Sequence, residues 1–108
     1  MTGKFRRDVA VWLAQKAANR QTVTYGELAR EFGGLPMGWG PALSDIVRRL
    51  KRNNLPLLPV LVVSAETDMP SAEAAIYQEN GIRTDDDMLA EQKRCWDFDW
   101  SSTPLLRG

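Results

Sequence analysis

The sequence predicts a mainly α-helical α/β fold: a winged-helix-like three-helix domain with short strands and an acidic C-terminal helical extension. Two segments, 4–19 and 39–53, repeat apolar residues at the three-and-four spacing of an amphipathic helix. Residues 57–63 form an apolar run of strand length. The charge also divides, since the first part of the chain is basic and the second is acidic. We therefore expect a winged-helix-like DNA-binding domain at 1–70, with the acidic extension, 71–108, packed on it.

The composition excludes several functional classes. The chain has 108 residues, 44% of them hydrophobic, so we expect one globular domain with a short appendage. It has no apolar run of the roughly 20 residues that a transmembrane helix needs, and its N-terminus lacks the apolar block of a signal peptide. A single cysteine permits no internal disulfide, which favours a cytoplasmic location. With no histidine and one cysteine, we expect no metal site, no cofactor and no enzymatic activity.

The first two predicted helices have recognisable boundaries. The first covers 4–19, where the apolar residues recur on one face. The second begins at Thr24, because Glu27 three residues later completes the pattern of a capping box. It ends at Gly33 and Gly34, which adopt positive φ without strain. The predicted buried residues of the two helices are Phe5, Val9, Trp12, Leu13, Leu28, Ala29 and Phe32.

The third predicted helix, 39–53, has the clearest periodicity in the chain. Pro41 is acceptable in its first turn, and Pro56 disfavours helix just after its end. The apolar run 57–63 then predicts a buried strand, and the turn-forming residues 64–70 predict the wing of a winged helix. The residues that predict the buried face of this helix are Leu43, Ile46, Val47 and Leu50.

The extension predicts two further helices and a strand. We expect a helix over 72–80, capped by Ser71 and ended by Gly81. A second helix is expected over 84–95, because acidic residues in a first turn interact favourably with the helix dipole. Residues 96–100 alternate aromatic and acidic side chains, the pattern of a half-buried strand.

Four cations on the third helix are candidate phosphate contacts. Residues 1–63 hold ten Lys/Arg against four Asp/Glu, whereas 64–108 hold four against ten. Such a division predicts either a surface that faces a polyanion or two halves that pack together and neutralise each other, and a pI near 6.2 is low for a DNA-binding domain. The alternative is an ordinary solvated helix surface on which acids such as Asp45 pair with the cations. The candidate residues are Arg48, Arg49, Lys51 and Arg52.

One stretch of the chain, 22–63, carries an ordered set of motifs. They are Thr24-Tyr25-Gly26-Glu27-Leu28-Ala29, Gly33, a helix ending at Asn53, and the segment Pro56 to Val63. In this order they resemble the DNA-binding domain of the alkylguanine-DNA alkyltransferases and of their non-catalytic alkyltransferase-like relatives. The resemblance implies a helix-turn-helix in which Tyr25 presses on a phosphate and helps to turn a nucleotide out of the duplex. The alternative is that Tyr25 packs its ring at the helix start.

The same resemblance implies that the alkyl-transfer chemistry is missing. The family's active-site strand reads Pro-Cys-His-Arg-Val, with the cysteine as alkyl acceptor, but here the acceptor position falls on Leu61. We expect nearby carboxylates to raise the pKa of Cys95, so that it cannot substitute. The family's arginine finger is also absent, and Trp39 in that region is either an aromatic wedge for DNA or a core residue. Residues 58–71 also resemble bacterial or phage-type proteins with no established activity.

These observations support two principal hypotheses. The first is a non-enzymatic protein whose partner is duplex or single-stranded DNA, contacted by Tyr25, Trp39, Arg48, Arg49, Lys51 and Arg52. The second is a protein-interaction or inhibitory module, derived from a phage or mobile element, whose acidic face binds a basic protein and imitates nucleic acid. The residues assigned to that face are Asp85, Asp86, Asp87, Glu91, Asp97 and Asp99. A third hypothesis is an enzyme with an unfamiliar site.

Overall fold

The protein is mainly helical, with one short two-stranded sheet. The computed structural model describes residues 5–69 and 74–103. Within these ranges the helices are α1 (Arg7–Ala18), α2 (Tyr25–Phe32), α3 (Gly40–Arg52), α4 (Ala74–Glu79) and α5 (Asp85–Asp97). The strands are β1 (Val23–Thr24) and β2 (Val62–Val63), and short 3₁₀ helices cover Pro36–Trp39, Leu58–Leu61 and Trp100–Ser102. The prediction of a mainly helical chain with short strands is confirmed.

The first helices follow their local sequence signals. Helix α1 begins at Arg7 and ends at Ala18, within the predicted range of 4–19, and residues 1–4 lie outside the described part. The capping box at α2 is confirmed: the Glu27 N–H donates to Thr24 Oγ1 at 3.1 Å. In return, the Thr24 N–H donates to Glu27 Oε1 at 3.0 Å. Gly33 ends the helix with a φ of +92°, which glycine adopts without a Cβ clash.

Helix α3 buries its predicted apolar face. It begins at Gly40 rather than residue 39, because Pro36–Trp39 first form a 3₁₀ helix, and it ends at Arg52. Pro41 lies in its first turn, where the missing N–H costs no helical hydrogen bond. The residues predicted to face the core, Leu43, Ile46, Val47 and Leu50, are all buried.

The prediction of a continuous strand over 57–63 is wrong. Residues Leu58–Leu61 form a 3₁₀ helix, and only Val62–Val63 are a strand. Pro59 explains the difference, since it fixes φ near −65° and offers no N–H to a sheet. Strand β2 pairs in parallel with β1, with Val23 opposite Val62. The burial of the whole run was predicted correctly, because every residue from 57 to 63 is buried.

The predicted wing does not appear among the described residues. The chain instead turns back tightly after β2: the Ser64 N–H donates to the Met69 carbonyl at 2.8 Å, and the Asp68 N–H donates to the Ser64 carbonyl at 2.8 Å. Within the described ranges, β1 is the strand that pairs with β2, so no hairpin extends from it. Pro70, at the end of the predicted wing, lies outside the described residues.

The extension is helical, as predicted, but its predicted strand is wrong. Helix α4 ends at Glu79, one residue before the expected end, whereas residues 72 and 73 and the expected Ser71 cap lie outside the described residues. Thr84 caps α5 in a second capping box, this time with Asp87. The strand predicted at 96–100 is instead the end of α5 followed by a 3₁₀ helix. Tertiary contacts override the local pattern, since the indole of Trp96 donates to the Gln21 carbonyl at 3.2 Å and Asp97 pairs with Arg20 at 3.0 Å.

Helix α5 is anchored to residues 57–60, at the 3₁₀ helix Leu58–Leu61, by two buried polar side chains. The Leu57 N–H donates to Glu91 Oε2 at 2.9 Å, and Gln92 Nε2 donates to the Val60 carbonyl at 2.9 Å. A buried backbone group without a partner costs free energy, so these bonds fix where α5 lies. Residues of the extension, among them Cys95, belong to the same hydrophobic core as α1 and α3. Residues 74–103 and residues 5–69 therefore pack together around one core.

We predict that Gln92→Ala destabilises the fold by about 1–3 kcal/mol, because it leaves the buried Val60 carbonyl without its donor. Urea unfolding followed by circular dichroism measures the change. The control is Gln15→Ala, at an exposed position of α1, which we expect to change the free energy of unfolding by less than about 0.5 kcal/mol. Equal effects of the two substitutions would show that the Gln92 bond does not anchor α5.

Candidate nucleic-acid interface

The four cations of α3 lie on the part of the helix that faces away from the core. Since an α-helix has 3.6 residues per turn, Arg48 and Arg52 lie one above the other on the side opposite the buried residues. Lys51 flanks this pair on one side and Arg49 flanks it on the other. Arg48, Lys51 and Arg52 are exposed, and Arg49 is half-buried. The last two turns of α3 therefore present a basic surface, which we call the α3 basic surface.

Two of these cations have partners, but neither is buried against an acid. Arg48 pairs with Asp45 at 3.1 Å, and its side chain is still 57% exposed. Arg49 lies over the ring of Phe5, with its guanidinium carbon 4.8 Å from the ring centroid. This is a cation–π contact, in which the charged group of Arg49 itself lies against the apolar ring at the edge of α3.

Lys51 and Arg52 are the least engaged cations of this surface. Within the described part of the chain, neither side chain makes a hydrogen bond, an ion pair or a ring contact. Both lie in the last turn of α3, where cations interact favourably with the negative end of the helix dipole. Of the four, these two are the most available to an external anion.

Tyr25 and Trp39 differ in accessibility. Tyr25 is the first residue of α2 and packs against the core while part of its surface stays exposed. Trp39 is only 6% exposed, and its indole N–H donates to the Gly33 carbonyl at 3.1 Å. Trp39 is thus a core residue in this structure, and it offers no aromatic wedge to DNA without leaving its site. The other interpretation, a tryptophan that covers the core at the helix start, matches its contacts.

The position that matches the alkyl acceptor is closed to solvent. Leu61 is fully buried in the 3₁₀ helix, so neither its chemistry nor its location suits transfer. Cys95 is buried in the core, and burial first, then the charge of Glu91, raises the pKa of its thiol well above the usual range. The predicted direction is confirmed, although burial is the larger cause. Among the described residues, no three His, Cys, Asp or Glu side chains cluster as metal ligands.

The acidic residues of the extension do not form one continuous free surface. Glu91, assigned to the acidic face from the sequence, is only 7% exposed and also binds Arg94. Asp97 binds Arg20 and Lys93, so it connects α5 to the turn after α1. Asp87 caps its own helix, and Asp99 accepts hydrogen bonds from Ser101. Four of the six acidic residues therefore have partners within the fold.

Arg6 was not among the predicted site residues, yet it contacts two aromatic rings. Its guanidinium carbon lies 5.1 Å from the ring centroid of Trp39 and 6.0 Å from that of Phe32. Through these contacts and that of Phe5 with Arg49, residues 5 and 6 lie along one edge of α3. The only sequence signal was the basic pair Arg6-Arg7 ahead of the first helix, and this signal does not reveal which rings it meets.

A scan against protein-family models, a search of curated proteins and a search of solved structures found no match to this chain. The resemblance to the alkyltransferase DNA-binding domain thus stays a prediction from the motifs. Separately, no helix in the described ranges has the length and apolar character needed to cross a bilayer.

The Asp97 ion pairs predict a specific loss of stability in acid. Both cations hold the pKa of Asp97 below its ordinary value, chiefly through the hydrogen bonds from Lys93 and then Arg20. The stabilisation is therefore complete above the unfolded pKa of about 3.9 and is lost as the pH falls through the lower folded pKa. We expect Asp97→Asn to reduce the unfolding free energy at neutral pH, with the difference from wild type disappearing in acid. Arg20→Gln should make the unfolding free energy depend less strongly on pH in the same range. A difference in unfolding free energy between Asp97→Asn and wild type that does not change with pH would contradict this account.

Proposed function

We propose that this protein is a non-enzymatic DNA-binding protein that contacts DNA through the α3 basic surface, without alkyl transfer. The observation that carries the proposal is that α3 has one apolar face and one basic face. Its apolar side is buried, and its cations project outwards with Lys51 and Arg52 free of partners among the described residues. Cations arranged along a helix bind phosphates by releasing condensed counterions, which gives affinity without sequence preference.

The distribution of charge supports this surface over an ordinary solvated helix. On α3 itself, Asp45 is the only acid against four cations, and it pairs with Arg48 alone. Four acids of the extension have capping or ion-pair contacts of their own, namely Asp87, Glu91, Asp97 and Asp99. The surplus of positive charge on α3 is therefore not cancelled locally. At physiological salt the Debye length is about 8 Å. Acids that lie farther than this from α3 therefore do little to neutralise its positive charge or to repel DNA.

The order of α2, a turn and α3 supports a helix-turn-helix of the alkyltransferase-like type. In this proposal α3 lies against the DNA, and Tyr25, at the capped start of α2, contacts a backbone phosphate with its exposed part. The buried Leu61 and the buried Cys95 leave no nucleophile for repair by transfer. Binding through the acidic residues receives less support, because Glu91 is buried and Asp97 already has two cationic partners.

We predict that Lys51→Ala with Arg52→Ala weakens binding to duplex DNA and makes it less salt-dependent. Each lost phosphate contact should reduce the slope of log binding constant against log salt concentration by about 0.9, so the pair should reduce it by about 1.8. Fluorescence anisotropy of labelled DNA at several salt concentrations measures both quantities.

The matched control removes two cations from the extension, Arg83→Ala with Lys93→Ala, and so changes the net charge equally. We expect this control to bind with nearly the wild-type slope. If both double variants lose affinity equally, only net charge matters and α3 is not the DNA-binding surface. If wild-type protein shows no salt-sensitive binding at micromolar concentration, the proposal fails.

Removing the one acid of α3 should have the opposite effect. Asp45→Asn keeps the shape of the side chain, releases Arg48 from its 3.1 Å ion pair and adds one net positive charge to the surface. We expect tighter DNA binding and a slope steeper by about 0.9, because Arg48 is then free for a phosphate. Asp86→Asn is the control, since it makes the same charge change on α5. Equal gains from both substitutions would contradict a specific role for α3.

A further inference from the structure

An open cleft of about 450 Å³ lies at the turn between α2 and α3. Arg6, Phe32, Leu35 and Trp39 form its walls. Three glycines also line it, and they leave it unfilled because they carry no side chains. A Cβ atom added at Gly38 would meet no atom within 4 Å, so the space beside this residue is empty.

Arg6 is held in a fixed position against the aromatic wall of the cleft. Its Nε and Nη2 donate to the two carboxylate oxygens of Asp8 at 3.0 and 2.9 Å. Its guanidinium carbon lies 5.1 Å from the centroid of the Trp39 ring. A guanidinium fixed in this way is a flat cationic group, and such planes stack on nucleobases in many nucleic-acid complexes.

Leu35 supplies an exposed apolar group at the rim. It is 77% exposed, which is the highest value among the large hydrophobic residues of the described chain. Gly33 and Gly34 precede it with φ of +92° and +80°. Pro36, which follows it, begins a 3₁₀ helix. Leu35 therefore lies in the turn between α2 and this 3₁₀ helix. An isolated exposed leucine is common, but this one lines the same cleft as the Arg6 guanidinium.

The cleft is continuous with the α3 basic surface. Ala42 lines the cleft, and Arg49 is seven residues further along α3, so the two residues lie on the same side of the helix about 10 Å apart. Arg49 in turn contacts Phe5, the neighbour of Arg6. A strand bound along Arg49 and Arg52 would therefore run past the cleft entrance.

We propose that this cleft accepts an unpaired nucleobase from a single-stranded stretch of nucleic acid, with the base stacked between the Arg6 guanidinium and Leu35. The inference rests on the proposed function and specifies it, because a base within a stacked duplex cannot enter the cleft. Recognition is by the flat face of the base, so it tolerates any sequence. The sugar–phosphate backbone leaves the cleft towards Arg49.

Two substitutions test the cleft without removing any charge. Leu35→Ala removes the exposed apolar wall, and Gly38→Leu places a side chain in the empty space, at a glycine whose φ is not positive. The probe is a fluorescently labelled oligodeoxythymidylate of about eight nucleotides, and its binding is measured by fluorescence anisotropy. A labelled duplex is measured in the same way for comparison. We expect Leu35→Ala to weaken binding of the oligonucleotide about fivefold and Gly38→Leu about tenfold, since base stacking contributes about that much. Duplex affinity should change less than about twofold, as the phosphate contacts remain.

Leu89→Ala is the matched control, because Leu89 is also an exposed leucine, 49% accessible, but lies on α5 outside the cleft. The indole N–H of Trp39, which donates to Gly33 at the cleft, gives an independent NMR signal. We expect the oligonucleotide to shift this signal, while the indole signal of Trp100, bonded to Cys95, stays in place.

The outcomes separate this inference from the function on which it rests. Wild-type affinity of both cleft variants for the oligonucleotide, or an unmoved Trp39 signal at saturation, would overturn the cleft proposal. If binding to both DNA forms still depends on Lys51 and Arg52 in that case, the α3 proposal stands alone. If wild-type protein binds neither DNA form, both proposals fail.

Discussion

The fold depends on the burial of one short apolar segment, residues 57–63, whose backbone polar groups must find partners away from water. Pro59 prevents this segment from forming a full strand, so the sheet does not satisfy all of it. Helix α5 supplies the missing partners through Glu91 and Gln92. Helices α1, α3 and α5 consequently pack around the segment, and α3 has to turn its apolar side inwards. The outward position of its cations is a consequence of this packing.

A chain with a formal net charge of zero can still carry a basic surface, provided that its acids are used elsewhere. Glu91 accepts a backbone N–H, Asp87 caps a helix, and Asp97 connects α5 to Arg20. These carboxylates stabilise the fold at positions away from α3. Among the described residues, the ion pairs of Asp97 and Glu91 are with cations outside α3, and Lys51 and Arg52 have no acidic partner. The proposed DNA-binding surface depends on that arrangement.

Signals that act within one turn of a helix were predictable from the sequence, and those that depend on distant partners were not. The capping box of Thr24 and the buried face of α3 follow from local spacing, and both are present. The strand predicted at 96–100 was wrong because α5 continues to Asp97, and the indole of Trp96 in its last turn donates to the distant Gln21 carbonyl. The candidate cations were predictable as an exposed set, but the pairing of Arg48 with Asp45 depends on side-chain geometry. The contact of Arg6 with Trp39 joins elements far apart in the chain, so no local pattern revealed the cleft.

Amide chemical-shift mapping during a titration of isotope-labelled protein with duplex DNA at low salt tests the central claim most directly. If the α3 basic surface binds DNA, the largest shifts will fall on the last two turns of α3 and on the start of α2, and raising the salt concentration will reverse them. Shifts confined to α5, or no shifts at low salt, would contradict the claim. The cations of α3 would then be no more than a solvated helix surface.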